Sequence, residues 1–157
     1  MWLRIRQVIY YLFPRKSSQD GEFIATILNP QQQTLFCSLS LPDQAHAIRV
    51  ARRMQQRNAP RFALEAALLH DCGKPASFRL WMRIACVIAT HHPLLTHWAQ
   101  KKSWFQIYHQ HDDRGIQLAE AHGSTPEALA LLHACLQDSN TNTLPWLKDL
   151  KQCDDLG

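Results

Sequence analysis

The stretch Ala66-Ala67-Leu68-Leu69-His70-Asp71-Cys72-Gly73-Lys74 constrains this chain more than any other. An apolar helical run can anchor itself in a core while its last turn delivers an imidazole and a carboxylate to one point. Both groups are ligands for a borderline-hard divalent metal. Gly73 allows the tight exit that a helix end needs. Lys74 adds a compact cation beside the pair, suited to a phosphate oxygen. The same letters also describe a core helix whose His and Asp cap each other at the surface. The pair therefore acquires meaning only from its flanks.

Composition sets the class. At 157 residues the chain is one domain's worth, long enough for a single core. Glycines are few and β-branched residues sparse, while Ala, Leu and Gln abound, which favours an all-helical architecture. Five cysteines, Cys37, Cys72, Cys86, Cys135 and Cys153, are an odd number without paired spacing and read as reduced thiols in a cytosol. Seventeen Lys and Arg against thirteen Asp and Glu make the chain mildly basic. That balance suits an anionic substrate and is too small to point to nucleic acid.

Residues 1–40 read as a helical extension. Met1 to Pro14 has Trp2, Ile5, Ile9 and Leu12-Phe13 near helical spacing, with Arg4 and Arg6 between them and Arg15-Lys16 next. The apolar run is too short and too interrupted by Arg to span a membrane, and no small-residue cleavage site comes after it as in a signal peptide. Residues 1–16 suit docking on the domain or a protein partner, and secondarily an anionic membrane surface. The expected location is cytoplasmic, peripheral to a membrane in that second case. Ser17 to Asp20 reads as a polar hinge, Glu22 to Leu28 and Gln31 to Ser38 as short helices separated by Asn29-Pro30.

From Leu41 onward the helices are longer. Leu41-Pro42-Asp43 begins one, with Pro and Asp both suited to a first turn. Its buried stripe is Ala47, Val50, Ala51 and Met54, and His46, Arg49 and Arg53 share a flank. Asn58-Ala59-Pro60 ends it, and Arg61 to His70 is the second. A third helix is expected from Phe78 to Thr90, then a short helix and loop to Ile107. A fourth opens at Tyr108 and closes at His122-Gly123. Ser124-Thr125-Pro126-Glu127 reads as a capping box for a fifth, Pro126 to Gln137. Leu144 to Asp155 is the last.

The order His46-x-x-Arg49-Val50, then Leu68-Leu69-His70-Asp71-x-Gly73-Lys74, then a C-terminal Asp resembles the HD superfamily of metal-dependent phosphohydrolases. The likeness covers roughly Leu41 to Asp155. It implies a compact helical bundle, an HD domain at 41–157 with five core helices, and a metal centre of His46, His70, Asp71 and Asp154. Asp154 is preferred to Asp155 and Asp138 because it comes directly after the stripe Leu147, Leu150 and Cys153, which leaves it at the edge of a buried face. His111-x-x-x-Gly115 resembles the third histidine of the HD-GYP branch, where the glycine lets its helix approach a neighbour closely. The dinuclear members end the next helix in Ile-x-x-His-His-Glu. Here Cys135 and Leu136 stand at the two histidine positions, and His133 lies about 200° of helix rotation from Cys135. One strong metal site is therefore expected, and hydrolysis of cyclic dinucleotides is not.

Two nitrogens and two carboxylates leave room on a six-coordinate ion for water and a phosphate oxygen. Mn, Fe, Co, Ni and Mg all suit that set. The implied activity is hydrolysis of a nucleotide or other small phosphate ester by metal-activated water, oriented by Asp71. Lys74, Arg49 and His111 are expected to bind the non-reacting oxygens or the developing charge. The competing reading is a catalytically degenerate HD module that serves as a regulatory or docking domain. The altered fifth helix and the basic N-terminal helix favour it, and the intact ligand set opposes it.

Overall fold

A computed structural model of the protein describes residues 18–74, 113–136 and 144–156. These form seven helices and no strand, as the composition leads one to expect. In chain order they are α1 (Ser18–Ile27), α2 (Pro30–Cys37), α3 (Leu41–Gln56), α4 (Arg61–Leu69), α5 (113–121), α6 (Pro126–Leu136) and α7 (Leu147–Asp155). The expected helix at 78–90, the loop to 107, His111 and the N-terminal helix 1–14 lie outside the described residues. Among the described helices none is long and apolar enough to cross a membrane.

The centre of the fold is α4. Seven of its nine residues, Ala63 to Leu69, are buried. It packs mainly on α3 and α6, and α7 closes against α3 and touches α6. Small side chains make this possible: Ala47 and Ala51 on α3 and Ala63, Ala66 and Ala67 on α4 are all fully buried. Leu68 and Leu69 supply the apolar bulk, each worth about 1.5–3 kcal/mol when taken from water. Phe23, Ile24, Ile27, Leu28, Leu35 and Phe36 of α1 and α2 belong to the same buried cluster as the later helices. The described part of 1–40 thus shares one core with the helices after Leu41.

Caps place the helix that carries His46. The Ser40 side chain accepts from the Asp43 amide at the start of α3 and donates to the Asp43 carboxylate in return. Pro42 occupies the first turn, where a missing amide hydrogen is harmless. The stripe Ala47, Val50, Ala51 and Met54 is buried as expected. Asn58, at φ 60°, turns the chain towards Pro60 and α4.

Four local expectations change. The first described helix already includes Ser18 to Asp20, which suited a helix start as well as a hinge, and Gly21 within it, open on the side where a Cβ would be, breaks nothing. The cap of α6 is Thr125, not Ser124: its hydroxyl accepts from the Ala128 amide at 3.3 Å. The carboxylate serving that end comes from Glu65 of α4, not from Glu127. Glu65 Oε1 accepts from the Thr125 amide at 2.9 Å and from Gln32 Nε2 at 2.8 Å, and Oε2 accepts from the Thr125 hydroxyl at 3.1 Å. A buried carboxylate on a helix N-terminus is doubly favoured, by hydrogen bonds and by the helix dipole. Lastly, α7 begins at Leu147, not Leu144, because Trp146 takes a left-handed φ of 72° and a helix cannot run through it.

Candidate metal centre

Three helices far apart in sequence bring the expected ligands together. His46 comes from the second turn of α3, His70 from the residue that ends α4, and Asp154 from the last turn of α7. His46 Nε2 lies 2.8 Å from Asp154 Oδ1, and His70 Nε2 lies 3.3 Å from the same oxygen. One ligand atom from each residue falls within 4.8 Å of the other two. The rings of His46 and His70 are 5.3 Å apart, tilted at 59°. Asp154 reaches this point because Leu147, Leu150 and Cys153 are buried and turn the next side chain to the rim. Asp155, the alternative, is exposed and outside the group.

The histidine tautomer is set by the backbone. His70 Nδ1 lies 2.8 Å from the Ala67 carbonyl, which can only accept, so Nδ1 carries the hydrogen. In the neutral ring the lone pair is then on Nε2, facing His46 and Asp154. Ala67 thus fixes the ring as the outer partner of a metal-ligating histidine does. This partner was hidden in the sequence, where a backbone carbonyl one turn upstream leaves no mark.

Asp71 sits beside the group. Its Oδ2 is 3.6 Å from His70 Nε2, and its Oδ1 is 2.5 Å from Lys74 Nζ. Asp71 Oδ2 is buried and unbonded, and His70 Nε2, also buried, has only its 3.3 Å contact with Asp154 Oδ1. Buried polar atoms are nearly always paired, so the unbonded Asp71 Oδ2, 3.6 Å from His70 Nε2, is a place that a further group would fill. The donor chemistry, two imidazole nitrogens and two carboxylates, is one that would suit a divalent cation. Lys74 was expected to face a phosphate, but its ammonium pairs with Asp71.

Charge in the cluster is already arranged for a cation. Burial on its own would lower the pKa of His70, but Asp71, followed by Asp154, outweighs it and pushes the value up to about 9. Burial would raise Asp71, yet His70, Lys74 and His46 together hold its carboxyl well below the usual carboxylate range. Asp154 is likewise held far down, against its burial, by the hydrogen bonds and charges of His46 and His70. Two ionised carboxylates thus face the pair of histidines, and a proton on His70 occupies the charge that a metal would replace. Asp154 is the most open of the four, with 45% of its side chain exposed against 12% for His70 and 7% for Asp71. The centre opens to solvent on the α7 side.

A close approach pins the turn that carries Asp71. A Cβ on Gly115 of α5 would meet the Gly73 amide nitrogen at 3.1 Å and the Cys72 sulfur at 3.7 Å. Cys72 Sγ donates to the Gly115 carbonyl at 3.1 Å. The role expected of Gly115, bringing its helix close to a neighbour, is the one it plays. Positive φ among the described residues falls at Asn58, Trp146 and Gly123, so Gly73 serves this approach and not a left-handed exit. Burial, with Asp71 next door, raises the Cys72 thiol to about 12, which makes it a packing group. Arg49 is half-buried one turn along α3 from His46. Cys135, half-buried near the end of α6, does not join the ligand group.

Compared with family models, with curated proteins and with solved structures, the chain matches none.

Proposed function

We propose that the chain is a metal-dependent phosphohydrolase of the HD superfamily type, acting on a nucleotide or other small phosphate ester. The observation that supports it most is the convergence of His46, His70 and Asp154 from three separate helices on one point, with the unbonded Asp71 Oδ2 alongside. His46, His70, Asp71 and Asp154 would hold one ion of the Mn, Fe, Co, Ni or Mg kind. When bound, that ion supplies Lewis acidity, neutralises phosphate charge and acidifies a water.

The chain's own residues divide the remaining work. His70, fixed by the Ala67 carbonyl, presents only Nε2. Asp154 stands at the open side, where water and substrate arrive, and its ionised carboxylate can accept a hydrogen bond from either. Asp71, buried and ionised, orients what binds next to it. Arg49, on the His46 face of α3, is the candidate for the non-reacting phosphate oxygens. His111 keeps the same candidate role, from outside the described residues. A single ion is proposed because Cys135 and Leu136 replace the histidines of a second site. The proposed setting is the cytoplasm, and the four cysteines described, Cys37, Cys72, Cys135 and Cys153, are free thiols.

The deciding experiment has two stages. Metal analysis of protein purified without chelator should find one equivalent of a divalent ion. A screen of phosphomonoesters and phosphodiesters, nucleotides included, should then show hydrolysis that a chelator abolishes and the metal restores. Absence of bound metal, with no uptake on titration, overturns the reading. Full occupancy without hydrolysis of either substrate class would leave the docking role in its place.

A further inference from the structure

The geometry points to Lys74 as a positioning residue, one that ties down Asp71 Oδ1 so that Asp71 offers a metal only Oδ2, and not as a ligand for the substrate phosphate. The inference rests on the reading of His46, His70, Asp71 and Asp154 as metal ligands and assigns a role that this reading leaves open.

Three observations carry it. Lys74 Nζ and Asp71 Oδ1 form an ion pair at 2.5 Å, well within reach of a charge-assisted hydrogen bond, which is roughly twice as strong as a neutral one. The other oxygen of the same carboxylate is buried, unbonded and 3.6 Å from His70 Nε2. The turn itself holds the two side chains in this register, because the Lys74 amide donates to the Asp71 carbonyl at 2.9 Å. That turn is pinned in turn by the contact of Gly115 with Gly73.

A free carboxylate chooses between one-oxygen and two-oxygen coordination, and it can bridge two ions. An oxygen that already accepts from an ammonium is the weaker donor to a metal, so Oδ2 is the favoured contact and two-oxygen coordination or bridging is disfavoured. The arrangement therefore favours one-oxygen coordination by Asp71 through Oδ2. Lys74 keeps further donors, so metal affinity measured apart from KM is what separates the positioning role from a substrate contact.

Titration of the whole protein with Mn2+ alone, monitored by calorimetry or by the electron paramagnetic resonance of free Mn2+, tests this. The unmodified chain should bind one Mn2+. In Lys74→Met the Kd should weaken by about tenfold or more, the usual consequence of removing a ligand's outer partner. Lys74→Gln should show the same loss in milder form, and Lys74→Arg should stay within about twofold of the parent, on the same reasoning. In an Asp71→Asn background, where the other three ligands retain weaker binding, Lys74→Met should change nothing further. Circular dichroism checks that each variant folds, and Lys74→Gln serves if Lys74→Met does not. An unchanged Kd in Lys74→Met and Lys74→Gln, with only KM rising on a phosphate ester, overturns the inference in favour of a substrate contact. Tighter Mn2+ binding in both backgrounds overturns it too, because it would mark plain charge repulsion through space. Failure of the parent chain to bind Mn2+ overturns this inference and the proposed function together, whereas the first two results leave the metal reading standing.

Discussion

At the scale of single residues, the centre is an assembly of charges that a proton balances when no metal does. Burial alone would lower the His70 pKa, but Asp71 and Asp154 outweigh it and raise it to about 9, from an ordinary value of 6.5. Linkage fixes the sign of the consequence. A group whose folded pKa lies above its unfolded one contributes stability in full below 6.5, and that contribution fades as pH rises to about 9. The melting temperature of metal-free protein should fall over that window. A metal has to displace the same proton, so its apparent affinity should climb by about one log unit per pH unit until pH reaches about 9 and then level off. Titrations with Mn2+ at several pH values test both halves, and a flat affinity would remove His70 from the ligand set. The choice between the two C-terminal carboxylates belongs to this scale as well. Asp154→Ala should weaken metal binding more than tenfold, the order expected for loss of a ligand. Asp155→Ala should leave it within about twofold, because that side chain is exposed and outside the group. Equal losses in the two variants would defeat the assignment.

At the scale of elements, what could be read from the sequence depended on whether the signal was local. The start of α3 was legible because Pro42 and Asp43 are first-turn chemistry in consecutive positions, although the cap itself, Ser40, was not read from the sequence. The rim position of Asp154 was legible because Leu147, Leu150 and Cys153 repeat at helical spacing. The start of α7 was not, since nothing in the letters of Trp146 announces a left-handed backbone. Glu65 escaped notice for a related reason. It lies in the apolar run of α4, and its partners, Gln32 and Thr125, are 33 and 60 residues away. The role of Lys74 was half legible: its place beside the site was evident, but its ion pair with Asp71 Oδ1 was not. The close contact between elements at Gly115, on the Cys72-Gly73 backbone, gives the test at this scale. Gly115→Ala puts a methyl 3.1 Å from a backbone nitrogen that cannot swing aside. Overpacking of this kind costs typically about 1–3 kcal/mol. The substitution should lower thermal stability by that amount and, by moving the Asp71 turn, weaken Mn2+ binding. Normal stability combined with normal binding would show that the approach of α5 to the turn is slack.

At the scale of the whole molecule, the proposed ligands would cross-link the chain. His46 and Asp154 are 108 residues apart and come from α3 and α7, while His70 ends the central helix α4. Besides the apolar packing of Leu147, Leu150 and Cys153, the polar contacts of α7 with α3 and its end include the His46 to Asp154 contact, the Arg53 bond to the Cys153 carbonyl at 3.2 Å, and Arg57 with Asp149 and Gln152. Several of these groups are exposed, so each ion pair counts for little on its own. An ion shared by three helices, as proposed, would bind the folded state and have no equivalent site in the unfolded chain, so its binding energy would add directly to stability. At a hundred times Kd that is about 2.7 kcal/mol, or roughly 5–10 °C in melting temperature for a domain of this size. The gain should be lost in both His46→Ala and Asp154→Ala, although one substitution lies on α3 and the other on α7. Hydrogen exchange should show where it acts, with metal slowing exchange in the last turn of α7 and at the end of α4 and leaving α1 and α2 unchanged. Uniform slowing across all helices would mean that the ion acts through global stability alone. No thermal shift in the parent chain at saturating metal would count against a centre that ties the three helices together.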